Sequence, residues 1–261
     1  MTTPTCLIVE RPENGLAILR LNRPERYNAL SEGLLNELQS QLDLIATDKT
    51  IRVVILAAQG KAFCAGHDLK EMLTEPSLAY YQRLFGLCTR MMMTIQKMPQ
   101  VVIAQVQGVA TAAGCQLVAM ADLAVASEDA QFAVSGINLG LFCSTPAVAL
   151  SRNLSRKQAF ELLMTGQFIS ARLALEKGLI NQIVPPVDLA RATLNLARTV
   201  LEKPPMAVAT GKALFYRQQE MGIEAAYQLA GQSMACNMMD EHTLLSVKSF
   251  TSKSKKGSHE N

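Results

Sequence analysis

The chain has no tryptophan, only three histidines, and no apolar run approaching the roughly 18 residues that cross a bilayer. His67, His242 and His259 are far apart and match no HExxH-like spacing, so no metal centre is expected. The six cysteines (Cys6, Cys64, Cys88, Cys115, Cys143 and Cys236) form no CxxC pair and are expected to be reduced, buried packing residues. The opening residues, MTTPTCLIVERPENG, show neither a basic segment leading into an apolar one nor an Arg-rich amphipathic pattern. The expectation from them is a cytoplasmic protein with no membrane partner. Neither sign of charge dominates: the formal net charge is +3, part of it from Lys253, Lys255 and Lys256, and no basic patch is interleaved with aromatics. That argues against a nucleic-acid surface.

What is present is a core-rich composition, 49% hydrophobic and 18% charged over 261 residues, which is globular rather than disordered. Alternating segments at 5–9 and 16–21 around a turn predict a hairpin. Ser31 is placed to cap a helix that carries Leu34, Leu35, Leu38, Leu42 and Ile45 at helical spacing. Short apolar strands are expected at 53–57, 101–106, 123–126 and 131–134. A long helix over 77–98 has a Met-rich face at 91–93, read as core packing, and Pro99 stops it. Helices then dominate the remainder, with Ser144 read as the cap of the helix holding Pro146. The order implies an α/β core of ββα units over 1–203, a helical C-terminal part over 204–252 beginning at Pro204–Pro205, and a disordered tail over 253–261.

Two turns share one design. In KAFCAGHDLKEM (61–72), a strand end and a tight Ala-Gly turn precede a short helix that Asp68 can cap, leaving the His67 N–H free to face a cleft. In QGVATAAGCQL (107–117), small residues allow close approach to the backbone, and the Ala113 N–H lies at the positive end of a helix. Taken alone, either turn reads more often as an ordinary packing device. A phosphate loop is disfavoured because no Lys-Ser/Thr follows Gly114.

The ordered set LNRPERYNAL, VVILAAQG, KAFCAGHDLKEM, VQGVATAAGCQL, ADLAVASEDAQFA and LLMTGQFISARLALEKGLINQIVP resembles the enoyl-CoA hydratase/isomerase (crotonase) superfamily over nearly the whole chain. The resemblance implies a spiral of ββα units and a helical C-terminal part that builds a homotrimer, often paired into a hexamer. It implies an acyl-CoA thioester as substrate, with coenzyme A entering only as part of that substrate and no permanently bound cofactor. It assigns the thioester oxygen to the backbone N–H groups of His67 and Ala113, an oxyanion hole, and leaves the His67 imidazole as a pocket wall or a solvent-facing group. It places Ala65, His67 and Lys70 along the adenine, and Arg26 and Arg23 near the CoA phosphates. Lys70, Arg23 and Arg26 read equally well as ordinary surface cations.

The chain departs from the hydratase pattern at two positions. Gln116 and Gly136 stand where hydratases of the family carry glutamates, and a positioned general acid/base is typically worth about 10²–10⁴ in rate. Ordinary hydration is therefore expected to be weak, and Gln116→Glu with Gly136→Glu is expected to restore it. Enolate stabilisation needs neither carboxylate. AGHD and INLG also resemble superfamily decarboxylases acting on malonyl-type CoA esters, with Gln116, Ser135, Cys143 and Ser144 completing the pocket, although LGLFCST lacks the tyrosine of that subgroup. A catalytically degenerate acyl-CoA-binding protein is the other reading. A role in RNA binding, known among relatives, is disfavoured by the charge.

Overall fold

The computed structural model describes residues 5–256. The chain divides after Val200 into two compact units. The first holds two sheets. In the larger one, β1 (Leu7–Glu10) pairs antiparallel with β2 (Leu16–Leu21), the expected hairpin. From β2 the sheet continues in parallel through β3 (Val53–Ala58), β5 (Val101–Val106), β7 (Leu123–Ser127) and β10 (Gln182–Val184). All six residues of β3 are buried, as expected of a parallel strand covered on both faces. The smaller sheet runs β4 (Ala62–Cys64), β6 (Val109–Thr111), β8 (Gln131–Ala133) and β9 (Ile169–Ser170).

Helix α1 (Glu32–Thr47) starts where Ser31 accepts from the Leu34 N–H, and its apolar stripe, Leu34, Leu35, Leu38, Leu42 and Ile45, is buried. Short α2 (Leu69–Met72) is capped by Asp68. The long α3 (Leu78–Lys97) buries Met91 and Met92 with Leu84, Cys88 and Ile95, so its Met-rich face is core. The small residues of α4 (Ala113–Met120) let it bury nearly every position. The unit continues through α5 (Ser144–Asn153), α6 (Arg156–Thr165), α7 (Ala171–Glu176) and α8 (Leu189–Leu201). The second unit carries α9 (Pro205–Gln219), α10 (Ile223–Met238) and α11 (Glu241–Lys256).

Several local expectations are corrected. Strands β6, β9 and β10 have only two or three residues each, and distant partners hold them: Ile183 of β10 lies opposite Ala126. Ser144 is not a cap. It is the first residue of α5, Cys143 takes the cap position without a side-chain bond, and Ser144 Oγ donates to the Phe142 carbonyl at 3.4 Å. Among the cysteines, Cys64, Cys88, Cys115 and Cys143 are buried, but Cys6 is half-buried and Cys236 exposed. Helix α11 continues to Lys256, past the start of the expected tail, and residues 257–261 lie outside the described residues.

The segment 22–30 is a strut whose hub is Asn28. Its side chain is fully buried, accepts from the Arg23 N–H at 2.9 Å, and donates to the carbonyls of Gln59 and Ala62 at 2.8 Å each. Tyr27 and Asn28 both take left-handed backbone, φ 50° and 54°, a conformation asparagine tolerates better than most residues. The strut in turn bonds the 65–68 segment: Ala65 donates to Tyr27 O at 3.0 Å and Leu30 to Gly66 O at 2.7 Å. Asn28→Ala takes the side-chain partner from the Arg23 N–H and the Gln59 carbonyl, removes one of two amide donors to the Ala62 carbonyl, where Gln107 Nε2 remains at 2.9 Å, and adds backbone strain. Urea unfolding is expected to show a loss of about 3 kcal/mol or more, with Asn28→Gly, which relieves the strain alone, losing less.

Candidate active site

The site is built from the carboxyl end of β4 and the start of α4. Gly66 has φ +90°, open to glycine but strained for other residues. A methyl group built on it would sit 2.9 Å from the Ala112 Cβ and 3.3 Å from the Ala113 nitrogen. The two turns singled out in the sequence are therefore in contact. Gly114 brings α4 equally close: its missing Cβ would lie 2.1 Å from the Cys64 carbonyl oxygen.

Both turns leave an N–H available. Residues 66–68 bridge to Leu30 through Leu30 N to Gly66 O and Asp68 N to Leu30 O, a pattern that turns the His67 N–H the other way. On the second turn, Ala112 adopts φ 50°, ψ −121°, sparsely populated for a residue with a Cβ and worth about 1–3 kcal/mol of strain. It is held there by bonds from its N–H to Ala133 O and from the Gln116 N–H to its own carbonyl, both 3.0 Å. Among the described residues, neither the His67 nor the Ala113 N–H meets a protein acceptor. Two unpartnered donors on adjacent turns, one at a helix N-terminus, suit an oxygen that carries or develops negative charge.

The side chains around them are mostly neutral. The His67 ring packs edge-on against Phe85 of α3 at 5.3 Å, and Tyr81 stacks on Phe85 at 6.3 Å. The imidazole is thus a wall, not solvent-facing. Burial pushes its pKa down to about 4, and the opposing pull of a hydrogen bond with the Leu30 backbone is smaller. Burial pushes the Cys115 thiol up to about 12 and raises Cys143 as well, so both stay protonated at neutral pH. Gln116 is buried, and its Oε1 has no partner. Thr111 and Ser135 share a hydroxyl–hydroxyl bond of 2.8 Å immediately before Ala112 and Gly136.

Gly136, the second position singled out in the sequence, is tightly hemmed in. It sits in a short 3-10 turn, Ser135–Leu139, and its missing Cβ would lie 2.6 Å from the Leu141 carbonyl oxygen and 2.8 Å from Cys143 Sγ. The space a second carboxylate would enter is filled by backbone and a thiol. Any side chain placed there requires the 136–143 segment to move.

The remaining predicted contacts divide. Ala65, His67 and Lys70 follow one another along the same segment, and the Ala65–Tyr27 bond sets the turn bearing Arg26 beside them. Lys70 and Arg26 are exposed. Arg23 is committed elsewhere: it donates to Ala29 O at 2.6 Å and pairs with Asp68 at 2.9 Å, both ends of the pair largely buried. It braces the turn that presents His67. Burial raises the Asp68 pKa, but the hydrogen bonds from Arg23 and the Glu71 N–H outweigh this and hold it below the usual range. Thr111, Phe85 and Asn28 were not singled out from sequence. Asn28 and Thr111 lie in motifs that drew attention; Phe85 is one apolar position on a helix that carries many.

With this geometry in view, comparison with known proteins is decisive at the family level. The enoyl-CoA hydratase/isomerase family model matches residues 11–258. The chain belongs to that family. A Xenopus laevis protein named enoyl-CoA hydratase domain-containing protein 3, mitochondrial, is 42% identical over 96% of this chain and 85% of its own length. The crystal structure of human enoyl-CoA hydratase domain-containing protein 3 superposes with a TM-score of 0.91 at 40% identity, over 95% of this chain and 98% of that one. A Mycobacterium smegmatis structure named enoyl-CoA hydratase gives a TM-score of 0.94 at 57% identity, over 95% and 96%. The fold is the crotonase fold, as the motifs implied. The cytoplasmic expectation is overturned, because the relatives from Xenopus, mouse, rat, human and zebrafish are all named mitochondrial.

The buried neutral His67 carries a pH signature. Its folded pKa of about 4 lies below the ordinary 6.5, so between these values the unfolded chain binds the extra proton and stability rises with pH. His67 is expected to make the protein about 2 kcal/mol less stable at pH 5 than at pH 7. Urea unfolding at both pH values should show that component in the wild type and not in His67→Phe.

Proposed function

We propose that the chain is an acyl-CoA enzyme that holds the thioester oxygen between the His67 and Ala113 N–H groups and stabilises the enolate form of the substrate. The observation that carries this reading is the contact of Gly66 with Ala112 and Ala113, which sets two unpartnered N–H donors on neighbouring turns. Each donor of such a hole is typically worth about 2.7–4 kcal/mol to a developing oxyanion. Coenzyme A enters with the substrate, along Ala65, His67 and Lys70, with Arg26 as the remaining cation for its phosphates. Arg23 is withdrawn from that role by its bond to Asp68.

Hydration by paired carboxylates is expected to be weak in this site. Gln116 cannot carry a proton in and out, and Gly136 has neither a carboxylate nor room for one. We also assign self-association, as a trimer, to the C-terminal helices. In the single chain Ile223, Tyr227, Met239 and Phe250 are 75–79% exposed, an apolar surface that self-association would cover.

The test is a crotonyl-CoA hydration assay. The wild type is expected to hydrate slowly, and Gln116→Glu to gain a rate within the roughly 10²–10⁴ that one positioned acid/base supplies. Adding Gly136→Glu is expected to give no further gain and to cost about 1–3 kcal/mol of stability by overpacking. Fast wild-type hydration would overturn this reading of the two positions.

A further inference from the structure

The turn that carries the Ala113 N–H is strained, and a hydroxyl pair stands directly behind it. Ala112, at φ 50° and ψ −121°, holds a conformation that a residue with a Cβ seldom adopts. Strand β6 feeds this turn and is only three residues long. Its pairing with β8 ends at Thr111, opposite Ala133. Beyond that rung the two chains part: one enters Ala112 and α4, the other the 3-10 turn Ser135–Leu139. Two bonds span the fork. The Ala112 N–H donates to Ala133 O at 3.0 Å, and the Thr111 and Ser135 hydroxyls share a bond of 2.8 Å. Among the described residues, neither hydroxyl has another hydrogen-bond partner.

The far side of the hydroxyl bond is a fixed point. Just past Ser135, the Leu141 N–H donates to Gly136 O at 3.0 Å, and a Cβ on Gly136 would lie 2.6 Å from the Leu141 carbonyl oxygen. Gly166 packs as tightly on the next residues: its missing Cβ would lie 2.7 Å from Ile137 Cγ2 and 3.0 Å from Asn138 Nδ2. The 3-10 turn is therefore held by its neighbours, whereas the Ala112 turn, left to itself, prefers another conformation. Threonine is stiff at χ1, so a bond to its hydroxyl fixes the Thr111 backbone along with the side chain. A half-buried hydroxyl pair adds little net stability, since replacing both members by apolar groups of like shape is close to neutral. What it adds is direction, because a hydrogen bond constrains an angle and an apolar contact does not.

We propose that Thr111 and Ser135 are positioning residues for the Ala113 N–H: their bond holds the strained Ala112 turn so that this N–H points at the thioester oxygen. Neither hydroxyl touches the substrate in this role; both act through Ala112. The 3-10 turn thereby has a part in the reaction that requires no carboxylate at position 136. This rests on the acyl-CoA reading given above.

The experiment is infrared difference spectroscopy of butanoyl-CoA, isotopically labelled at the thioester carbonyl carbon, bound to the wild type, Thr111→Val, Thr111→Ser and Ser135→Ala, with thermal melting of each protein. A hydrogen bond to the oxygen lowers the C=O stretch, a signature that stability alone does not move. Bound to the wild type, the stretch is expected to lie below that of the free ester. In Thr111→Val and Ser135→Ala about half or more of that lowering is expected to be lost, because one of the two donors is turned away. Their melting temperatures are expected to stay within about 4 °C of the wild type. Thr111→Ser, which keeps the hydroxyl, is expected to keep the wild-type stretch. An unchanged stretch in either Thr111→Val or Ser135→Ala would overturn the proposal and leave the acyl-CoA reading standing. Loss of the lowering in Thr111→Ser, or a loss that comes with a large drop in melting temperature, would do the same, since packing would then explain it. If the wild type binds butanoyl-CoA without lowering the stretch, or does not bind it, the acyl-CoA reading falls and the proposal with it.

Discussion

Everything at this site depends on backbone lying against backbone. The start of α4 approaches the end of β4 so closely that a Cβ on Gly114 would fall within 2.1 Å of the Cys64 carbonyl oxygen, and one on Gly66 within 3.3 Å of the Ala113 nitrogen. The side-chain atoms in this contact are the Cβ atoms of Ala112 and Cys64, which are fixed to the backbone and cannot flex to accommodate a larger residue. The same closeness sets two N–H groups from distant parts of the chain on adjacent turns. The strain of Ala112 follows from it: the turn must point one N–H outward while the next residues enter the helix.

A contact that rigid needs bracing from behind, and the strut 22–30 provides it. Asn28 ties the strut to the β3–β4 turn, Ala65 and Leu30 tie it to the 65–68 segment, and Arg23 clamps Asp68, the residue that caps α2. Arg23 is therefore a positioning residue. Its charge is consumed within the fold, which explains why a basic residue in a plausible phosphate-binding position need not bind phosphate. The strength of the Arg23–Asp68 pair comes from its hydrogen bonds and low exposure rather than from bare proximity, since exposed pairs contribute little.

The fold was largely legible because its elements are locally consistent. The stripe of α1, the caps at Ser31 and Asp68, the apolar runs of β3 and β5, and the stop at Pro99 each follow from local rules and appear as expected. What went unread were the strands of two or three residues, β6, β9 and β10, whose stability comes from partners far along the chain. The same limit applies to the site. The two turns could be recognised one by one, but their contact, the Phe85 wall and the Thr111–Ser135 bond join residues that are 18 to 47 positions apart, by the numbers 67 and 85, 111 and 135, 66 and 113.

The sequence alone determined the family and the crotonase architecture, because these are written in residue identity and short-range order. It could not show whether a carboxylate would fit at position 116 or 136. Only the tertiary structure decided that: Gln116 is an unpartnered amide in an intact helix, whereas Gly136 is hemmed in by the Leu141 carbonyl and the Cys143 sulfur. It also decided that Arg23 is committed to Asp68 and that His67 is a buried neutral wall. The physical reason is the same in each case. Room, burial and the supply of hydrogen-bond partners belong to the space between elements, and that space exists only once the chain has packed.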